Sequence, residues 1–184
     1  MSALVATPGQ TVGPFYGFAL PYDAGNRLAP AGDPRTVRLR GLVLDGEGRP
    51  VPDAMLEIWQ ADPAGQVPQR AGSLRRDGVA FTGWGRAATT SAGAYEFLTL
   101  PPGPVDGGTP FIAMTVLARG LLNRLFTRVY LPSTDRTADP LLARLDPARG
   151  DTLVAREEDG DLVFDVRLQG EGETVFLRYA GQAP

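Results

Sequence analysis

Strand signals begin at Thr36, where apolar and polar residues alternate with a period of two, the pattern of a strand that buries one face. In 36–45 (TVRLRGLVLD), Val37, Leu39 and Val43 alternate with Arg38 and Arg40. Gly46-Glu47-Gly48-Arg49-Pro50 supplies a turn, and 54–60 (AMLEIWQ) reads as the next strand. Further strands are predicted over 95–100, 112–118, 123–131, 162–168 and 174–179. The stretch 62–82 reads as a loop longer than the usual connection, and such loops more often serve a site or an interface. Only 138–145 (ADPLLARL) begins like a helix, with Asp139 in the capping position and Pro140 at the first helical position.

The first 35 residues break the alternation. Pro8, Pro14 and Pro21 fix the backbone and remove donors, which excludes a central strand or a helix interior. Phe15, Tyr16, Phe18, Leu20 and Tyr22 nevertheless carry too much apolar surface for a solvated tail. An extended arm lying on a surface, the chain's own or a partner's, satisfies both observations. The expected architecture is mainly β: a β-sandwich of about seven or more strands with long loops and one short helix. It is read as a single domain over 1–184, with an extended N-terminal arm at 1–35 and the sandwich core at 36–180. No repeat, low-complexity tract or linker supports a second unit.

Composition narrows the chemistry. The 184 residues include 23 Gly and 17 Pro, a content that suits many tight turns and disfavours a helical bundle. There is no Cys, which excludes disulfides, thiolate metal sites and thiol nucleophiles. There is no His, which removes the commonest transition-metal ligand and the usual general base, and with it any Ser-His-Asp triad. All 18 basic residues are Arg, so Schiff-base chemistry and a P-loop lysine are excluded too. Catalysis is left to carboxylates, Arg, Tyr, backbone amides or a partner's residues. A net charge of −3 leaves no electrostatic footprint for nucleic acid. No apolar run approaches the ~18 residues of a membrane span, and the N-terminal residues lack a basic region followed by an apolar stretch. A soluble cytoplasmic protein without membrane or nucleic-acid partners is expected.

Among single residues, Glu57 sits in a strand otherwise built of Met, Leu, Ile and Trp. A carboxylate there is either a catalytic group with a raised pKa or, more commonly, one held by Arg or turned to an interface. Asp45, Asp53 and Asp62 border turns, where Asp bonds nearby backbone. Arg128, among Leu125, Phe126, Val129 and Tyr130, either grips a carboxylate ligand with its planar fork or forms an ion pair. Tyr16, Tyr95, Tyr130 and Tyr179 could each offer Fe(III) a phenolate, but no spaced carboxylate cluster accompanies them. The run 169–176 (QGEGETVF) lies between two predicted strands, where a tight connection belongs, and not between strand and helix as a phosphate loop requires.

The segment from Leu39-Arg40-Gly41-Leu42-Val43 to Leu56-Glu57-Ile58-Trp59-Gln60-Ala61-Asp62-Pro63-Ala64-Gly65 resembles the intradiol ring-cleavage dioxygenases, which carry an E-x-W-Q-A-[DN]-x-x-G-x-Y stretch. The blocks TPGQTVGPFY, TLPPGPV, ARG at 118–120, FTRVYL and QGEGETVF extend the likeness from Thr7 to Tyr179. They look more specifically like the iron-free subunit of the family's heteromeric members. Catalytic members hold Fe(III) with two Tyr and two His. By this resemblance the corresponding positions are Val67, Val105, Ile112 and Met114, four apolar residues that offer a ferric ion no donor. The resemblance therefore implies no catalytic or metal-ligating residue in this chain, a related partner subunit that carries Fe(III), and a hetero-oligomer of paired subunits. It further implies that Thr11, Gly13, Pro14 and Tyr16 of the arm, with Arg128, approach a small carboxylated aromatic substrate at a shared pocket. Two rival readings remain: a metal-free β-sandwich binding module acting alone, and a purely structural subunit that never touches substrate.

Overall fold

The computed structural model describes residues 11, 13, 15–69 and 76–179. Nine strands form among them, in two sheets. In the first, β1 (Val37–Leu44) is flanked on one side by antiparallel β4 (Ala94–Thr99). On its other side run β8 (Asp161–Val163) and β9 (Val166–Arg167), both parallel to it, and β7 (Arg156–Glu158) pairs with β8 at the edge. The second sheet is antiparallel in the order β3 (Trp84–Ala88), β2 (Met55–Trp59), β5 (Phe111–Leu117), β6 (Leu125–Tyr130). The sheets bury their inner faces against each other, as alternating strands must. Leu39, Val43 and Phe97 meet Ile58, Ile112 and Met114 in one core. Tyr130, Leu142, Leu153 and Val175 form a smaller cluster beyond β6.

The mainly β sandwich expected from the alternation is what forms, and five of the seven predicted strands stand within a residue or two of their predicted bounds. The differences have local causes. Instead of one strand over 162–168 there are two, with Phe164 and Asp165 between them and no slip in register against β1. Phe164 N–H donates to Arg40 O at 2.8 Å, and Asp165 Oδ1 accepts from Leu42 N–H at 2.9 Å, replacing a ladder bond. The Phe164 carbonyl turns over Gly41, where a Cβ would lie 1.9 Å from its oxygen, and accepts the buried Tyr95 hydroxyl at 2.6 Å. The segment 174–179 is not a strand and makes a single bridge, Leu177 to Phe126. Its polar groups go to hydroxyls instead: Val175 O accepts from Thr127 Oγ1 and Val175 N–H donates to Thr152 Oγ1.

Two strands lie outside the prediction. β3 (WGRAA) carries no alternation of large apolar residues, and Gly85 leaves room for Leu28, whose Cδ1 would be 2.4 Å from any Cβ there. β7 (REE) is exposed at every position and shows no alternation. The capping expected of Asp139 is present, since its Oδ1 accepts from Leu141 N–H at 2.8 Å and Leu142 N–H at 3.0 Å. The capped segment is a 3-10 turn (Leu142–Arg144) rather than a helix running through 145. Pro147 disfavours helical geometry at Asp146, which instead caps α2 (Pro147–Asp151). The arm, expected to be extended, contains the one-turn α1 (Tyr16–Ala19). Its later part lies on the chain's own sheets: Leu28 N–H donates to Leu98 O at 2.7 Å, Arg86 N–H to Gly25 O at 2.9 Å, and Leu28 is fully buried in the main core.

Replacing the Tyr95 hydroxyl leaves a buried carbonyl unpaired, so Tyr95→Phe is expected to lower unfolding stability by about 1–3 kcal/mol in urea titration. Gly41→Ala is expected to cost more, because the clash is with backbone. Asp161 takes the guanidinium of Arg38 at 2.6 Å and of Arg40 at 2.7 Å, and these hydrogen bonds hold its carboxyl below the usual range. That contribution is complete above the ordinary carboxylate pKa of about 3.9 and is lost as pH falls through the lowered value. Asp161→Asn should therefore flatten the acid limb of the stability–pH curve; an unchanged limb would assign acid lability elsewhere.

Candidate functional site

The site is built where two loops interlock at the end of the second sheet. After β2, Asp62 Oδ1 accepts from Ala64 N–H and Gln66 N–H, both at 2.9 Å, which is the turn role its position suggested. Its carbonyl accepts from Gly103 N–H of the loop after β4 at 2.8 Å. Both loops cross backbone to backbone: a Cβ on Gly65 (φ +81°) would meet Pro104 O at 2.0 Å, and one on Gly103 would meet Pro63 O at 2.3 Å. Only glycine fits at either crossing. The clamp fixes Val67 and Val105, one just beyond each crossing, beside a cavity of about 380 Å³.

The opposite wall is the outer face of the second sheet. Register places Trp59, Ala113 and Arg128 side by side across β2, β5 and β6, with Phe111 next along β5. The Arg128 guanidinium lies 4.0 Å from the centroid of the Phe111 ring. Its Nη1 donates to the Tyr130 hydroxyl at 3.1 Å, which donates in turn to Asp139 Oδ1 at 3.0 Å. Burial pushes the Tyr130 phenol up to about 12, against the opposing pull of Arg128, so it is neutral at ordinary pH. Arg128 Nε is buried and meets no acceptor among the described residues. Around the mouth, Trp59, Val67 and Val105 remain 52%, 41% and 43% exposed.

Of the four positions taken from the resemblance as former iron-ligand places, the structure brings Val67 and Val105 together and leaves Ile112 and Met114 apart from them. The latter two are 0% and 1% exposed and point into the sandwich core, because β5 alternates strictly. The residues of β5 that face the cavity are Phe111 and Ala113. Among the described residues no three His, Cys, Asp or Glu side chains gather where they could hold a metal ion. Val67 and Val105, which the clamp presents to the cavity, do not fit one either, since a ferric ion wants oxygen or imidazole donors. Tyr16, Tyr95, Tyr130 and Tyr179 are scattered: the first three hydroxyls are bonded within the fold, and the Tyr179 ring packs on Phe126.

The arm residues stand elsewhere. Thr11 Oγ1 accepts from Gly120 N–H at 3.0 Å, and the Tyr16 hydroxyl donates to Asp53 O beside the Asp53–Arg119 ion pair. Gly13 is half-buried with φ +75°, and Pro14 lies outside the described residues. Asp53 and Gly120 flank the Leu117 end of β5, four residues from the Ala113–Arg128 pair, or roughly 13 Å along the strand. Within one chain the arm and Arg128 therefore do not converge. Glu57 resolves to the ion-pair reading, held by Arg86 Nη2 at 2.5 Å and Nε at 2.9 Å. A larger groove of about 730 Å³ runs past Arg40, Arg86 and Arg156. Each of these cations is paired with a carboxylate, Asp161, Glu57 and Asp165 in turn. Trp59, Phe111, Ala113 and Asp139 escaped sequence reasoning as cavity walls. The predicted strand begins at 112 with no face assigned to it, so neither Phe111 nor Ala113 is marked as facing a cavity.

Gly65→Ala forces a side chain against Pro104 O at a positive φ, so the unfolding midpoint should fall by the equivalent of at least about 1 kcal/mol, with altered Trp59 fluorescence. A wild-type midpoint and spectrum would show that the crossing is slack.

Comparison with known proteins gives the family and the fold. Residues 11–123 match the protein family described as Dioxygenase. The chain is 39% identical to the protocatechuate 3,4-dioxygenase alpha chain of Burkholderia cepacia, over 96% of this chain and 99% of that one. It is 30% identical to the protocatechuate 3,4-dioxygenase beta chain of the same organism, over 86% of this chain and 76% of that one. Among solved structures, the dioxygenase domain of a dioxygenase–carbohydrate-binding fusion from Streptomyces sp. SirexAA-E superposes with a TM-score of 0.60 at 27% identity, covering 89% of this chain and 98% of that domain.

Proposed function

This chain belongs to the intradiol dioxygenase family, and from that premise we propose that it is the iron-free alpha subunit of a protocatechuate 3,4-dioxygenase. It works with a beta subunit that carries Fe(III), in a hetero-oligomer of alpha–beta pairs in the cytoplasm. Among the described residues no helix is long and apolar enough to cross a membrane. The assembled enzyme opens the protocatechuate ring between its two hydroxyl-bearing carbons with O2, giving 3-carboxy-cis,cis-muconate for the beta-ketoadipate pathway. The observation that carries the reading is a combination: near-full-length likeness to an alpha chain, and hydrocarbon at the place where the clamp presents Val67 and Val105. Among the described residues no ligand set for a ferric ion gathers, so no chemical step is assigned to this chain's residues. Their part is to shape the pocket, orient the substrate and keep water out.

We assign that part to Thr11, Gly13, Pro14 and Tyr16 of the arm and to Arg128. The arm's backbone at Gly13 and Pro14 narrows a pocket at the subunit junction, with Tyr16 anchoring the arm, and the Arg128 guanidinium, apart from the arm within one chain, complements the substrate carboxylate. The single domain over 1–184, with arm and sandwich, belongs to the same proposal. Oxygen uptake with protocatechuate, and bound iron, are expected only in the complex co-purified with the beta subunit. Turnover or iron in the isolated chain would overturn the reading. In the complex, Arg128→Ala is expected to raise KM for protocatechuate about tenfold to a hundredfold at unchanged iron content, the scale of one charge-assisted hydrogen bond. Unchanged kinetics would instead support a purely structural subunit.

A further inference from the structure

The root of the arm is fastened by side chains more than by backbone. Register across β3 and β2 sets Arg86 beside Glu57 and Trp84 beside Trp59, on the outer face of the second sheet. From there Arg86 Nη1 donates to Leu20 O at 2.7 Å, while its Nε and Nη2 hold Glu57. Two residues on, the Tyr22 ring stacks on Trp84, with centroids 6.2 Å apart and planes 9° from parallel. The Arg76 guanidinium lies 5.5 Å from the centroid of the first ring and 6.0 Å from that of the second. Its Nη2 reaches three acceptors at once: the Tyr22 hydroxyl at 2.8 Å, Gly25 O at 3.0 Å and Trp84 O at 2.8 Å. Two arginines thus grip Leu20, Tyr22 and Gly25, the stretch that joins the arm to the sandwich.

Arg76 is a poor choice if the grip serves only to stabilise the fold. Its Nε and Nη1 are buried and meet no acceptor among the described residues, which offsets what Nη2 gains. Two of the three acceptors keep a second donor without it: Gly25 O takes the Arg86 N–H at 2.9 Å, and Trp84 O takes the Thr82 hydroxyl at 3.0 Å. Replacing a buried charge by a well-packed apolar side chain is often neutral for stability. What the cation supplies is geometry, because one planar fork ties the arm's root to β3 in a single orientation. Upstream of the root, the arm's hydrogen bonds to the sandwich among the described residues are Thr11 to Gly120 and Tyr16 to Asp53. Resting on the proposed place of the arm at the subunit junction, we propose that Arg76 and Arg86 are positioning residues, a clasp that presents residues 11–16 to the beta subunit along one fixed path. Without the clasp, the arm's first fixed point retreats from Leu20 toward Leu28, the next fully buried side chain, and the chain behind Thr11 about doubles in length. The effective concentration of the arm's tip at the junction then falls about threefold.

The test combines Arg76→Met with Arg86→Lys, which keeps a cation for Glu57 but drops the reach to Leu20. In the full-length chain, the Gly25 and Arg27 amides, bonded to Tyr22 O and Ala24 O, are expected to exchange hydrogen at least tenfold faster in the double variant, with β5 amides unchanged. The unfolding midpoint of Arg76→Met is expected to match the wild type, which a merely structural contact would not allow. In the complex with the beta subunit, the double variant is expected to raise KM for protocatechuate about threefold at unchanged kcat and iron content. Tyr16→Ala is the control for the arm itself and is expected to raise KM too. Wild-type exchange at Gly25 and Arg27 would overturn the proposal whatever the kinetics. So would a wild-type KM in the double variant while Tyr16→Ala raises it, or a lowered midpoint of Arg76→Met with wild-type KM. Should Arg86→Lys misfold, Arg76→Met alone decides by the same readouts. A wild-type KM in Tyr16→Ala as well as in the double variant, with exchange accelerated, would remove the arm from the substrate pocket and take the positioning role with it.

Discussion

A strand has two faces, and in β5 both are spoken for. Ile112, Met114 and Val116 fill the seam between the sheets, while Phe111 and Ala113 line the cavity outside it. A slip of one residue would turn the cavity wall into core and expose the core residues, exchanging about 1.5–3 kcal/mol for each large side chain moved. The pairings on either side, to β2 and to β6, hold that register over five and six residues. The placement of Arg128 beside Ala113, and of Trp59 on the other side, follows from this single constraint. The site is thus fixed by the same contacts that make the sandwich.

The chain meets itself at unusually short range, and the meeting points are glycines. At Gly41 a carbonyl from the last crossover strand pair leans over β1; at Gly65 and Gly103 two loops cross. In each case a hydrogen bond fastens what the missing side chain permits: Tyr95 to Phe164 O, and Gly103 N–H to Asp62 O. The edges of the second sheet are covered by irregular chain from the same molecule. Gly25 bonds β3, while Leu177 and Val154 bridge β6. Such cover leaves few unpaired backbone groups to recruit another strand.

The part of the fold that was legible in the sequence is the part with a hydrophobic period. β1, β2, β4, β5 and β6 each carry alternating large residues, whereas β3 holds Gly85 with small alanines and β7 is three charged residues. Neither of those two has a pattern, because neighbours and not burial define them. The segment 174–179 shows the converse error: its composition suits a strand, but Thr127 and Thr152 hydroxyls take the bonds a ladder would need. For the site, likeness to a family located Val67 and Val105, which the clamp does bring together. It also indicated Ile112 and Met114, which β5 turns into the sandwich core, apart from the other two. The pairing of Arg128 with Phe111 and Tyr130 could not be read from a linear pattern, since it depends on which strand lies beside which.

The glycine crossing has a consequence for how such a protein can change over time. The backbone of both loops is held by contacts that involve no side chain at 67 or 105. Those two positions are therefore decoupled from folding: a lineage can rewrite them without dismantling the loops that display them. A scaffold of this kind keeps the frame of a pocket whichever side chains stand at those two positions, and leaves the frame open to a different use.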